Sequence, residues 1–113
     1  MTAREKLQLA LRVAEERKAQ EPVSLDLTKL TLVADYFVIC HGTSDTHLRG
    51  LADAFLERFH EAGLKPLGCE GYRQARWILL DFGEVVIHVF APEEREYYGL
   101  ERLWGGAPRL KSA

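Results

Sequence analysis

The stretch Trp77-Ile-Leu-Leu-Asp-Phe-Gly-Glu-Val-Val-Ile-His-Val-Phe90 decides the fold of this chain. Two apolar runs, each rich in β-branched or aromatic residues, flank residues 81–84, and this pattern predicts a β-hairpin. With Phe82 and Gly83 at the turn, we expect the following pairs across the two strands: Leu80 with Val85, Leu79 with Val86, Ile78 with Ile87 and Trp77 with His88.

Alternation along these strands predicts two faces of different character. One face is wholly aliphatic and is assigned to the core, with Ile78, Leu80, Val85, Ile87 and Val89. The other face is apolar and aromatic but has a histidine and two acids at its tip, with Trp77, Leu79, Val86, His88 and Phe90, then Asp81 and Glu84. The hairpin alone leaves open whether one of the chain's own helices or another protein covers this second face.

Length and charge restrict the class of protein. A chain of 113 residues suits one domain with a single core, so residues 1–113 are expected to form one domain. The hydrophobic share of 47% and the charged share of 28% are typical of globular proteins. A net charge of −2 without a long basic run argues against direct, sequence-specific binding of nucleic acid.

Cysteine usage and the N-terminus indicate the compartment. Cys40 and Cys69 both lie in apolar, strand-like sequence, so we expect two small buried thiols in a reducing compartment. The N-terminal residues lack the apolar core of a secretory signal, and no run approaches the roughly 18 apolar residues that cross a membrane. The sequence therefore predicts a soluble, cytoplasmic protein without a membrane partner.

Periodicity, capping residues and Gly/Pro breaks predict the other elements. The expected helices cover residues 2–20, 43–62 and 93–104, and the expected strands outside the hairpin cover residues 23–27, 36–41 and 67–69. The order is α-β-β-α-β-β-β-α, which predicts an α/β fold with a mixed sheet flanked by helices. Strand 36–41 is apolar throughout, as is typical of a central strand. Residues 105–113 are expected to form a frayed tail.

The last helix is expected to present two different sides. Leu100 and Leu103 are assigned to docking the helix on the sheet, whereas Tyr98 and Glu101 are expected to face outward. The aromatic residues Trp77, Tyr97, Tyr98 and Trp104, with nearby acids, are typical of a protein-interaction patch.

The turn Gly42-Thr43-Ser44 is a candidate anion site, because it follows a strand and opens a helix. Nucleotidyltransferases hold a triphosphate on such a turn, but they also need two closely spaced strand carboxylates for metal ions. No Asp-x-Asp follows here, and helix capping alone explains Thr43 and Ser44. A nucleotide-binding enzyme remains the alternative interpretation.

Other catalytic or metal chemistry has little support. The histidines and cysteines show neither C-x-x-C nor H-x-x-x-H spacing, so we predict no metal, no cofactor and no catalytic residue. Walker A, G-x-G-x-x-G and G-x-S-x-G motifs are absent. His88 is expected to stack on Trp77, with its ring hydrogen-bonded to Asp81 or a backbone group.

A set of spaced motifs resembles one family. The set is Asp35-x-Phe-Val-Ile, Gly42-Thr-Ser, His47, Glu70-Gly71, the stretch 77–90 and Tyr98-Gly-Leu-Glu-x-Leu-Trp104. In order and spacing, from about residue 3 to 104, it resembles the ribosomal silencing factor (RsfS, Iojap-like) family. The resemblance implies a fold related to nucleotidyltransferases without their catalytic carboxylates. It implies a non-enzymatic protein that binds the large ribosomal subunit through ribosomal protein uL14, blocks joining of the small subunit and represses translation when nutrients run short.

Carried over by position, the resemblance also implies a contact region. The implied partner contacts are Trp77, Leu79, Asp81, His88, Tyr98, Leu100 and Glu101. Asp81 and Glu84 would suit a basic rim on the ribosomal protein and would steer the encounter. A homodimer that uses the same apolar face is a third expectation.

Overall fold

The computed structural model describes residues 1–110, which form a six-stranded mixed sheet flanked by helices. The helices are α1 (Ala3–Glu16), α2 (Asp45–Glu61), α3 (Pro92–Tyr98) and α4 (Leu100–Leu103), and the strands are β1 (Gln20–Asp26), β2 (Tyr36–His41), β3 (Gly68–Glu70), β4 (Trp77–Asp81), β5 (Val85–Phe90) and β6 (Arg109–Leu110). The strand order is β3-β4-β5-β2-β1-β6, with β2 parallel to β5 and the other pairs antiparallel. The predicted α/β class with a mixed sheet is confirmed.

Capping explains where the two long helices begin. The Thr2 hydroxyl accepts the backbone N–H of Glu5, and the Glu5 carboxylate accepts the N–H of Thr2, which forms a capping box for α1. The Ser44 hydroxyl accepts the N–H of His47 at 3.1 Å and caps α2. Helix α1 ends at Glu16, earlier than predicted, because Lys18 takes a positive φ of 59° and turns the chain into β1.

The hairpin forms as predicted, but its register differs by two residues. Leu80 pairs with Ile87 and Ile78 with Val89, because Gly83 and Glu84 form the turn. The N–H of Phe82 donates to the carbonyl of Val85 at 2.9 Å, and Gly83 has a φ of +84°, a conformation that favours glycine. A shift of two residues keeps every side chain on its predicted face.

Two apolar clusters lie on opposite faces of the sheet. The predicted aliphatic face packs against α1 and α2, and its five members are fully buried, namely Ile78, Leu80, Val85, Ile87 and Val89. The second cluster contains Leu25, Leu27, Ile39, Phe90 and Ala107, with Leu100 and Trp104 packed against it. The sheet is therefore covered on both faces over its centre, and β2 is the central strand that was expected.

The C-terminal segment (residues 92–110) differs from the prediction in two ways. Gly99 adopts a left-handed φ of 56° and divides the expected single helix into α3 and α4. Leu103 is consequently 72% exposed, so its expected docking role is wrong, whereas Leu100 does pack inward. The expected frayed tail is also wrong for residues 105–110, because Arg109 and Leu110 pair with Leu25 and Ser24 of β1. Residues 111–113 of that prediction lie outside the described residues.

The two cysteines have different environments. Cys40 is buried on β2, and burial raises the pKa of its thiol to about 12. Cys69 is exposed on the edge strand β3, so the expectation that both thiols are buried is wrong for Cys69. Among residues 1–110, no helix is long and apolar enough to cross a membrane.

Candidate protein-interaction surface

The second face of the sheet is covered only in part. Leu100, Trp104 and Ala107 of the C-terminal segment lie over the β1 and β2 side of this face. Next to this cover, side chains from three elements remain partly accessible and form a surface that we call the aromatic patch: Phe37 of β2, Trp77 and Leu79 of β4, and Tyr98 of α3. Tyr98 is 49% exposed, and the other three are partly exposed. The chain itself therefore covers one part of this face and leaves another part open.

Ring contacts hold the aromatic patch together. The ring centroid of Tyr98 lies 4.7 Å from that of Trp77, and Trp77 lies 4.9 Å from the buried Phe90. Phe37 packs edge-on against His88 at 4.5 Å. Such offset and edge-to-face contacts orient aromatic side chains within a packed layer. The patch is therefore a pre-organised surface anchored on buried rings.

His88 lies beneath the aromatic patch rather than in it. The side chain is 3% exposed, so His88 is not part of the accessible surface of the free protein, and its implied contact with a partner stays a prediction. Its Nδ1 accepts the indole N–H of Trp77 at 3.1 Å, so the partner of the ring is Trp77 and not Asp81. Burial lowers the pKa of His88 to about 4, and the imidazole is neutral at neutral pH.

The two acids at the hairpin tip have different neighbours. Glu84 forms an ion pair with Lys6 of α1 at 2.8 Å, and this hydrogen bond lowers the pKa of the Glu84 carboxyl group. The Asp81 carboxylate accepts the backbone N–H of Gly83 at 2.8 Å, and no described cationic side chain pairs with it. Asp81 therefore contributes the less compensated negative charge at this end of β4.

Arg95 fastens the C-terminal segment to the sheet. Its guanidinium donates to Glu101 at 2.8 Å, to the carbonyl of Gln20 at 3.2 Å and to Nδ1 of His41 at 2.8 Å. The Arg95 side chain is only 10% exposed, and its hydrogen bond lowers the pKa of Glu101. These contacts connect α3 and α4 with β1 and β2, and they hold Tyr98 of α3 beside Trp77.

The implied contact residues therefore separate into four groups, one of which is Asp81 alone at the end of β4. Trp77, Leu79 and Tyr98 come together on the surface, whereas His88 lies directly below them. Leu100 faces the second apolar cluster, and Glu101 is engaged with Arg95, so both stabilise the fold.

Sequence reasoning missed Phe37 and Arg95. Alternation along residues 36–41 places Phe37 on one side of its strand, but no signal in the sequence shows that β2 lies beside β5. The fold must be known before Phe37 joins the patch. The role of Arg95 could not be predicted, because its partners Gln20 and His41 lie far from it along the chain.

The Gly42-Thr43-Ser44 turn is explained by helix capping and packing. The N–H of Thr43 donates to Nδ1 of His47 at 3.0 Å, in addition to the Ser44 cap. A Cβ at Gly42 would lie 2.9 Å from the Leu48 side chain, so glycine allows α2 to approach β2 closely. Within residues 1–110, no group of three or more His, Cys, Asp or Glu side chains could hold a metal ion.

Comparisons with known proteins agree on one family. Residues 1–113 match the family model described as "Ribosomal silencing factor during starvation" (RsfS). Ribosomal silencing factor RsfS of Halalkalibacterium halodurans is 43% identical over 111 residues, which cover 98% of this chain and 95% of the relative. The Bacillus subtilis protein of the same name is 43% identical over 102 residues, covering 90% and 86%. A crystal structure of a Chromobacterium violaceum protein superposes with a TM-score of 0.90 at 34% identity and covers 100% of this chain and 93% of that protein.

Proposed function

Because this chain belongs to the ribosomal silencing factor (RsfS) family, we propose that it binds the large ribosomal subunit and keeps the small subunit from joining. The proposed partner on the large subunit is ribosomal protein uL14. A protein bound there would repress translation by steric exclusion, and this proposal is consistent with a family described as a ribosomal silencing factor during starvation.

The observation that carries the proposal is the accessible aromatic patch on an otherwise covered sheet. Protein interfaces concentrate their binding free energy in a few central aromatic anchors that are surrounded by less important contacts. Trp77 has this arrangement, since Tyr98 packs on its ring and Leu79 is its neighbour on the same face of β4. An obstructing protein needs only a sufficiently tight interface, because it need not move any part of the subunit.

Charge around the aromatic patch favours a basic partner. Asp81 lies at the end of β4 without a described cationic partner, and Glu93 and Glu96 are exposed on α3 beside Tyr97 and Tyr98. Acids at the rim of an interface increase the association rate with a basic protein more than they increase affinity. We therefore expect the association rate to fall as ionic strength rises.

We infer a binding protein rather than an enzyme, acting in the cytoplasm with the ribosome. The Gly42-Thr43-Ser44 turn serves as a helix cap, and Asp45 beside it pairs with Arg49 at 3.7 Å. The turn is not accompanied by the two strand carboxylates with which a nucleotidyltransferase holds its metal ions. Titration with ATP and Mg²⁺ in a calorimeter separates the two interpretations, because a binding protein of this kind should release no heat.

The decisive experiment is a sucrose gradient with purified ribosomal subunits. With the protein added, the subunits should sediment separately at a magnesium concentration that otherwise joins them, and the protein should travel with the large subunit. A matched sample with Trp77→Ala should restore joining. Subunits that join while the protein remains on the large subunit would refute steric exclusion.

The same face also suits a second copy of this chain. Exposed apolar surface promotes self-association, and an isologous contact through the aromatic patch would bury Trp77 in both copies. We expect dimers to form as concentration rises and Trp77→Ala to weaken them. Sedimentation velocity over a concentration series measures this directly, and a concentration-independent monomer would exclude it.

A further inference from the structure

The imidazole of His88 has an unused hydrogen-bonding group. Among the described residues, its Nε2 is the buried side-chain nitrogen or oxygen that lacks a hydrogen-bond partner. The last strand of the described chain is β6. In the sheet, β1 and β2 lie between β6 and β5, the strand that contains His88. Buried polar groups are normally paired, and leaving one unpaired is costly, so this nitrogen requires an explanation.

The Trp77 contact determines which nitrogen carries the proton. Nδ1 of His88 accepts the indole N–H, so a neutral imidazole must have its hydrogen on Nε2. Burial lowers the pKa of His88 to about 4, which keeps this neutral form near neutral pH. The ring therefore presents an N–H donor in one defined orientation.

The position of this donor links it to the aromatic patch. Leu79 pairs directly with His88 across the two strands, and Phe37 packs edge-on against the imidazole at 4.5 Å. Both side chains are partly exposed, whereas His88 itself is 3% exposed. The donor therefore belongs to a buried side chain that directly adjoins two members of the aromatic patch, Leu79 and Phe37.

We propose that His88 donates a hydrogen bond from Nε2 to a carbonyl or carboxylate oxygen of the bound ribosomal protein. The inference rests on the proposed function and deepens it, because it names the acceptor chemistry that the aromatic patch selects. A partner that covers the patch with apolar groups alone leaves this N–H unpaired. A partner that inserts an oxygen beside Phe37 satisfies it, and the site thereby discriminates between partners of similar shape.

Two substitutions at His88 separate its two nitrogens. In His88→Asn, the amide oxygen can replace Nδ1 as the acceptor for Trp77, but the donor at Nε2 is lost. In His88→Gln, the longer side chain brings an amide N–H near the position of Nε2 and gives up the acceptor at Nδ1. We expect His88→Asn to bind large subunits about tenfold more weakly than the wild type, as expected for one lost hydrogen bond, and His88→Gln to retain more affinity.

Measurements of thermal stability and of the Nε2 proton resonance show whether a loss of binding comes from the lost donor or from a loss of folding. The free His88→Asn and His88→Gln proteins should both lose some thermal stability, because each replaces the ring that packs against Phe37 with a flexible amide, so a difference in affinity between them reports the donor at Nε2. In the wild type, the Nε2 proton resonance should move downfield when isolated uL14 is added.

Each outcome has a defined meaning. Wild-type affinity in His88→Asn would overturn the inference while leaving the proposed function intact. Equal losses of affinity in His88→Asn and His88→Gln would overturn it as well, because the donor at Nε2 would then make no difference to binding. A wild-type protein that fails to bind large subunits would overturn the proposed function itself.

Discussion

The indole N–H of Trp77 donates to Nδ1 of His88 at 3.1 Å, so the most prominent side chain of the aromatic patch is fixed from below. Trp77 stands opposite Phe90 on β5, two pairs away from the Leu79–His88 pair, and the hydrogen bond crosses the two strands diagonally. The indole N–H is used inside the fold, and Trp77 therefore offers a partner its ring surface. A fixed aromatic anchor loses little side-chain entropy on binding.

Replacing Trp77 by alanine should weaken binding to large subunits by about 2 kcal/mol or more, as expected for a central interface anchor. The fold should persist, because Trp77 is partly exposed and the main core lies on the other face of the sheet. Cosedimentation across a range of subunit concentrations measures the change. Leu103→Ala is the matched control, since Leu103 is 72% exposed and belongs to neither apolar cluster. Equal binding by Trp77→Ala and the wild type would reject Trp77 as the anchor.

Gly71 and Gly50 differ in the space that the fold leaves for a side chain. Gly71 has a φ of +81°, and a Cβ there would lie 2.0 Å from the carbonyl oxygen of Trp77. Gly71→Ala should therefore displace the start of β4 and cost about 2 kcal/mol or more of unfolding free energy. It should weaken large-subunit binding as well, because Trp77 moves with its backbone.

The control for this prediction is Gly50→Ala on α2. A Cβ at Gly50 meets nothing within 4 Å. Alanine in the exposed middle of a helix should raise stability by about 0.5–1 kcal/mol through its helix propensity. Urea denaturation of both variants checks the pair. Similar effects at the two positions would contradict the proposed steric requirement at Gly71.

Hydrophobic alternation was sufficient to predict both faces of the hairpin but not its register. The predicted turn at Phe82-Gly83 and the observed turn at Gly83-Glu84 differ by a shift that preserves side-chain parity, so Trp77 and Leu79 were placed correctly. The choice between the two turns depends on Gly83 taking a positive φ and on its N–H donating to Asp81. Both turns fit the same apolar pattern.

Features that depend on tertiary contacts could not be predicted from the sequence. Strand β6 has two residues, too few for any periodic signal, and forms because β1 offers a free edge. A single glycine inside a helical pattern is often tolerated, so the break at Gly99 carried no clear signal. The depth of His88 follows from its neighbour Phe37, which comes from a strand distant in sequence. The sequence therefore assigned Trp77, Leu79 and Tyr98 to one candidate surface, which stays a prediction as a binding site, while the place of Phe37 and the depth of His88 required the fold.

Arg95→Ala should loosen the C-terminal segment from the sheet. The substitution removes hydrogen bonds to Glu101, His41 and the carbonyl of Gln20, and for a largely buried guanidinium we expect a loss of about 2 kcal/mol in unfolding free energy. Tyr98 should become more mobile beside Trp77, which a change in tryptophan fluorescence would report.

Arg102→Ala is the control for the Arg95 prediction. Arg102 is exposed, and within residues 1–110 its side chain donates only a long hydrogen bond, 3.4 Å, to the carbonyl of Glu96. We expect a change within about 0.5 kcal/mol, as is usual for surface substitutions. Equal losses for the two variants in urea denaturation would show that Arg95 has no special role in fastening this segment.

The stability of the fold should fall as pH decreases from about 6.5 to about 4. Burial lowers the pKa of His88 from 6.5 to about 4, so the unfolded chain binds a proton in this range that the folded protein excludes. Stability therefore rises with pH across this window and is constant above it as far as His88 is concerned. The full difference corresponds to about 3 kcal/mol for this one group. The lowered pKa of His41 acts in the same direction, since burial and then Arg95 disfavour its charged form.

A variant isolates the contribution of His88 to this pH dependence. Unfolding free energies measured at several pH values should show a clearly smaller slope for His88→Asn than for the wild type, because the titrating group has been removed. His60→Asn is the matched control, because it makes the same substitution at an exposed histidine of α2. If His88→Asn keeps the full wild-type slope, the pH dependence belongs to other groups, and the imidazole of His88 is not held neutral beneath Trp77.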